Sequence, residues 1–194
     1  MTRTARIERT TNETRVIVEV DLDGSGGAEI DTGIGMFDHL LTALAHHSLI
    51  DVMVSTQGDL HVDDHHTTED TMLVLGSAID DALGDRDGIT RYGSATIPMD
   101  EALATVTIDY GDLPYAVVDI PSRADRIGEL STQMIEHAIE AFVRTARATI
   151  NVTASGRNDH HVAEATFKAL ARATRMAVEL DPRRQGVPST KGTL

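Results

Sequence analysis

Two stretches of the chain repeat one spacing of ligand-type side chains: DDHHTTEDTM at 63–72 and NDHHVAEATF at 158–167. The first contains His65, His66 and Glu69; the second contains His160, His161 and Glu164. A lone histidine recurs as well, because MFDHLLTAL (36–44) aligns with MIEHAIEAF (134–142) and so pairs His39 with His137. Any one of these histidines could be a helix cap or a core residue. Six histidines and two glutamates recurring in register are explained more simply by an internal duplication than by coincidence, so the chain reads as two similar halves. The lone histidines are offset by 98 residues and the motifs by 95, which places a short deletion between the two helices of the second half.

Hydrophobic periodicity supports this. RVIVEVDLDG (15–24), AEIDT (28–32) and IDVMVST (50–56) read as strands, whereas 36–47 and 67–84 have helical spacing, the latter ending at Gly84. The second half repeats the order, with strands in SATIPMD, EALATVTIDYG, YAVVDIP and RATINVTAS and helices over 129–146 and 160–180. The expected divisions are a half-repeat over 1–90, another over 91–180, and a tail over 181–194.

Composition limits the chemistry. With no cysteine, any metal must be held by nitrogen and oxygen. A net charge of -14, with Lys168 and Lys191 the only lysines, argues against nucleic acid as a partner. No apolar run approaches membrane-span length and MTRTARIERT lacks the apolar core of a signal peptide, so a cytoplasmic location and no membrane partner are expected. So acidic a surface suits high salt, where counterions screen its self-repulsion.

On a helix the first histidine of HHxxE and the glutamate lie four apart, on one face, and can chelate one ion. The second histidine points about a quarter turn away and can serve another ion. Six histidines and two glutamates suffice for two ions, each with three imidazoles and one carboxylate. Such ligands suit manganese or iron, although zinc and nickel would also bind. Positions left open in the coordination sphere point to catalysis more than to structure. His46, His47 and His61 have no repeat partner and receive no role.

TNET (11–14), GIGMFDHLL (33–41), HVDDHHTTED (61–70), GITRYG (88–93), PMDEAL (98–103), HHVAEATFKALARA (160–173) and the terminal STKGTL together resemble the imidazoleglycerol-phosphate dehydratases of histidine biosynthesis, nearly end to end. The resemblance implies an α+β fold of two similar halves, each a four-stranded sheet with two helices, the helices packed between the two sheets. It also implies a large octahedral homo-oligomer of 24 subunits, assembled with the help of manganese, with active sites between subunits and two Mn2+ per site.

Carried over position by position, the family pattern gives one ion to His39, His66, His160 and Glu164 and the other to His65, Glu69, His137 and His161. The reaction implied is loss of water from imidazoleglycerol phosphate to give imidazoleacetol phosphate. Metal-bound imidazolate would expel the adjacent hydroxyl through a diazafulvene-like intermediate, and loss of a proton would then form an enol. The family's acid-base position falls on Glu13; Glu69 and Glu164 are ligands first, though either could also move a proton. Arg91, Ser189 and Lys191 fall at phosphate-binding positions. The sequence departs from the family at Leu113, where a second phosphate-binding arginine is usual; Arg123 and Arg126 follow a few residues later. Two rival readings are a dinuclear metallohydrolase and a metal-assembled structural or storage oligomer. Neither HExxH nor HxxEH occurs to favour the former.

Overall fold

In the computed structural model, which describes residues 2–194, two four-stranded sheets enclose the helices. The first half contains β1 (Thr4–Thr10), β2 (Thr14–Asp21), β3 (Ala28–Asp31), α1 (Gly35–Ser48), β4 (Asp51–Gly58) and α2 (His65–Leu83). The second contains β5 (Tyr92–Met99), β6 (Ala102–Asp109), β7 (Tyr115–Asp119), a small hairpin of β8 (Arg126–Ile127) and β9 (Leu130–Ser131), α3 (Gln133–Ala146), β10 (Thr149–Ser155) and α4 (Asp159–Val178).

The strand orders β1-β2-β4-β3 and β5-β6-β10-β7 are the same topology twice. In each sheet the first three strands are antiparallel, and the edge strand β3 or β7 runs parallel to β4 or β10. A parallel pair needs a crossover, and α1 and α3 supply it. Strand β2 buries Val16, Val18 and Val20 on one face, and β6 buries Ala104, Val106 and Ile108 in the same alternation. These faces, with the helices between them, form one continuous apolar core. Across the halves α1 packs on α4 and α2 on α3. The second crossing is close enough that a Cβ at Gly76 would meet the Phe142 carbonyl at 2.5 Å.

Three local features differ from the sequence expectation. Strand β1 has no clear apolar alternation, since TARIERT is an edge strand with only Ala5 and Ile7 packed against the core. Helix α2 begins at His65, two residues early. Helix α3 begins at Gln133 because Leu130–Ser131 pairs with β8, held by buried Asp64, whose carboxylate accepts the Ser131 N–H and, at 2.8 Å, its hydroxyl. That contact ties the start of α2 to the entry of α3.

Candidate metal centre

His39 and His137 each stand fifth in their helices, α1 and α3, while His65 and His160 stand in the first turns of α2 and α4. Because α1 crosses α4 and α2 crosses α3, each lone histidine meets the motif of the other half. Two groups result: His39, His160 and Glu164, and His65, Glu69 and His137, with the ligand atoms of each within 4.8 Å of one another. In the first, Glu164 Oε2 lies 3.0 Å from His39 Nε2 and 3.1 Å from His160 Nε2. In the second, Glu69 lies 3.4 Å from His137 Nε2 and 3.8 Å from His65 Nε2.

The donors suit a divalent cation. His137 Nε2 is buried with no hydrogen-bond partner, an arrangement that costs free energy unless an ion completes it. Glu164 is buried, which by itself would raise its pKa, but hydrogen bonds from Lys168, 2.6 Å away, and from His39 outweigh this and hold it at about 2. It therefore stays an anion ready to ligate. The role of Lys168, one helical turn beyond Glu164, escapes the histidine count.

His66 and His161 join neither group. Their rings lie nearly perpendicular to those of His65 and His160, and consecutive helical positions send their side chains about 100° apart around the axis. His66 Nδ1 lies 3.1 and 3.2 Å from the two Asp59 oxygens, raising its pKa, and its Nε2 faces Glu13 at 3.8 Å. His161 Nδ1 lies 2.9 Å from Glu101 Oε2. Glu101 is held at about 2 by that bond first and then by backbone N–H groups, including those of Asn158 and Arg157. Asp59 and Glu101 carry no repeated motif, so spacing did not reveal them. Glu101 stands immediately before β6 as Glu13 stands immediately before β2, a correspondence visible only once the sheets are superposed in order.

Glu13 sits half-exposed in the β1–β2 turn, which Asp70 of α2 anchors by accepting from the Thr14 hydroxyl and pairing with Arg9. At the other end of the molecule Arg91, with φ of 76°, pairs with Asp109 through two bonds of 2.6 and 3.0 Å. It also donates to the carbonyl of Pro188, the residue before Ser189, at 2.9 Å. The tail is further tied down by the Gly88 N–H to the Gly186 carbonyl.

Arg91 N–H donates to Ala177, near the end of α4, and α4 rises roughly 24 Å from His161 to that point. One chain thus keeps Arg91 far from the candidate metal ligands at the start of α4. Leu113 is exposed just before β7, and Arg123 and Arg126 lie beyond the far end of that strand, beside Asp159. Arg147 is near Leu113, but Asp112 and Asp80 occupy it.

No helix is long and apolar enough to cross a membrane. The sequence profile of imidazoleglycerol-phosphate dehydratase matches residues 32–174. The imidazoleglycerol-phosphate dehydratases of Salinispora tropica and Streptomyces avermitilis are 55% and 53% identical over the whole of this chain and of theirs. The crystal structure of the enzyme from Pyrococcus furiosus superposes with a TM-score of 0.84 at 36% identity, covering 97% of this chain and 100% of that one. The Staphylococcus aureus enzyme gives 0.83 at 32%, covering 92% and 99%. The chain belongs to the imidazoleglycerol-phosphate dehydratase family and is, like its relatives, a hydro-lyase.

Proposed function

We propose that the protein converts imidazoleglycerol phosphate to imidazoleacetol phosphate in histidine biosynthesis, using two Mn2+ per active site. The observation that carries this reading is the pair of His-His-Glu groups, one containing an orphaned buried imidazole nitrogen, in a chain that matches the dehydratases end to end.

His39, His160 and Glu164 would hold one ion and His65, Glu69 and His137 the other. In the proposed sets His66 belongs with the first group and His161 with the second. Within one chain His66 instead stands beside His65, and His161 beside His160. This supports completion of each ion by a second copy, and hence active sites between subunits of a large octahedral 24-subunit homo-oligomer. The separation of Arg91 from the metal groups supports it too, since one small substrate cannot reach both ends of one chain.

When bound, the ions would supply Lewis acidity toward the substrate imidazole and orient it. Glu13 is the acid-base residue: half-exposed and about 4 Å from His66 Nε2, it can take the proton from the carbon bearing the remaining hydroxyl. Arg91, Ser189 and Lys191 bind the phosphate by charge and donated hydrogen bonds. Asp109 orients the Arg91 guanidinium.

The test is to strip the protein with chelator, restore manganese, supply imidazoleglycerol phosphate in low and molar salt, and assay for imidazoleacetol phosphate. Product that depends on metal is the expected result. An assembled, manganese-loaded protein that forms none in either salt would point to a structural or storage oligomer instead.

A further inference from the structure

The second histidine of each motif is the one ligand whose chain partners are not the other ligands. His161 has three polar neighbours. Its Nδ1 faces Glu101 Oε2 at 2.9 Å, and its Nε2 faces Asn158 Nδ2 at 3.5 Å and Asp100 Oδ2 at 3.8 Å. The orientation of Asn158 is set by its capping role: its Oδ1 accepts the His160 N–H at 3.0 Å, so its amide nitrogen must turn toward the ring. A carboxylate at Nδ1 and an amide donor at Nε2 allow one neutral tautomer, with the proton on Nδ1 and a lone pair on Nε2.

Glu101 is itself held. Its other oxygen, Oε1, accepts the backbone N–H groups of Asn158 at 2.8 Å and Arg157 at 3.1 Å, in the loop that starts α4. Asp59 does the same work by simpler means. Both its carboxylate oxygens lie within 3.2 Å of His66 Nδ1, and that carboxylate has no other hydrogen-bond partner among the described residues.

We propose that Glu101 and Asp59 are positioning residues that fix the tautomer and ring direction of His161 and His66, so that each presents a bare Nε2 to the ion held by another copy of the chain. This rests on the metal reading above. The two halves reach one result from different parts of the fold. In the first half the carboxylate comes from the longer loop before α2, where six residues lie between Gly58 and His65. In the second, where three lie between Gly156 and His160, that loop is too short to carry it, and the β5–β6 turn supplies it instead.

The difference in anchoring makes the two carboxylates respond differently to the same substitution. In Glu101→Gln, the two backbone N–H groups demand the amide oxygen, so the NH2 must face His161 Nδ1. That nitrogen then has to accept, the proton moves to Nε2, and the ligating position is blocked. In Asp59→Asn, nothing prevents the amide oxygen from turning to accept from His66 Nδ1–H, and the tautomer survives. Asp59→Ala removes the constraint.

Manganese binding to the chelator-stripped, full-length protein would be titrated by the electron paramagnetic resonance signal of free Mn2+, with sedimentation and melting followed alongside. The wild type should take two ions per chain. Glu101→Gln should weaken one of them 10- to 100-fold. Asp59→Ala should weaken the other by a similar factor and Asp59→Asn should bind close to wild type. That rescue is a result that a merely structural role for Asp59 would not produce in the binding curve alone. Two tight ions in Glu101→Gln, or equal binding by Asp59→Ala and Asp59→Asn, would overturn the proposal while leaving the metal reading intact. A wild type that takes no manganese would overturn both.

Discussion

The two halves of the molecule agree where they are packed and disagree where they are not. β2 and β6 bury the same alternate positions, and His39 and His137 occupy the same helical turn. The carboxylates around the second histidines, in contrast, come from different loops, and the turn glutamates that precede β2 and β6 face different work. Glu13 touches only a ring edge at 3.8 Å, whereas Glu101 is committed to three hydrogen bonds. Core positions resist change because every substitution disturbs many neighbours, whereas a loop carboxylate is free to change its role once a copy elsewhere performs the first.

The largest effect should come from separating those glutamates. Glu13→Gln is expected to lower kcat by roughly 10²- to 10⁴-fold, the usual loss for a general acid-base group, with manganese content and assembly unchanged. Steady-state rates alongside metal analysis would check this, and a kcat within a few-fold of wild type would remove Glu13 from the chemistry.

The next contrast is Ala5 against Gly93, which occupy equivalent second positions in β1 and β5, each opposite a buried residue of the next strand. A Cβ on Gly93 would stand 1.8 Å from the Ala173 carbonyl of α4, so Gly93→Ala should destabilise by about 2–3 kcal/mol. That corresponds to a melting temperature lower by roughly 5–10 °C. Ala5→Gly should cost about 1 kcal/mol or less, and equal losses at the two positions would show that the sheets approach their helices equally closely.

A smaller change is expected from Leu113→Arg. Leu113 is exposed, so folding should be undisturbed, and KM for the phosphate substrate should fall several-fold by restoring a cationic contact. An unchanged KM would mean that another group already makes that contact.

Salt should produce the smallest difference. The outer face of the first sheet has the ion pairs Arg6–Glu19 and Arg15–Glu8, whereas that of the second has hydroxyl contacts such as Thr96–Thr105. Exposed pairs contribute under about 1 kcal/mol. Relief of the overall acidic repulsion should therefore dominate, and melting should rise modestly from low to molar salt.

The duplication made most of the architecture legible, because ligand residues at fixed spacing and alternating strands are periodic signals. β1 was hidden by its position at an edge, where only Ala5 and Ile7 pack on the core and Arg9 takes the next position on that face. The candidate ligands could be counted from the chain, but which three of each set meet within one chain follows from which helices cross. Asp59, Glu101, Asp70 and Lys168 could not be found that way, since each acts through contacts set by tertiary packing and none is a residue type repeated in the aligned motifs. The ordering of the tail was equally invisible, because it depends on Arg91 and Gly88, about a hundred residues earlier.

His39 and Glu164, which meet at 3.0 Å, are 125 residues apart in the chain. Bringing such distant segments together is among the slowest parts of folding, because the entropy of closing the intervening loop is lost before any contact repays it. During synthesis the first half must leave the ribosome with His39 waiting for a partner not yet made. A cation could therefore be held by this trio only once α4 has been made and has docked on α1, so its occupancy would report that the two halves have come together.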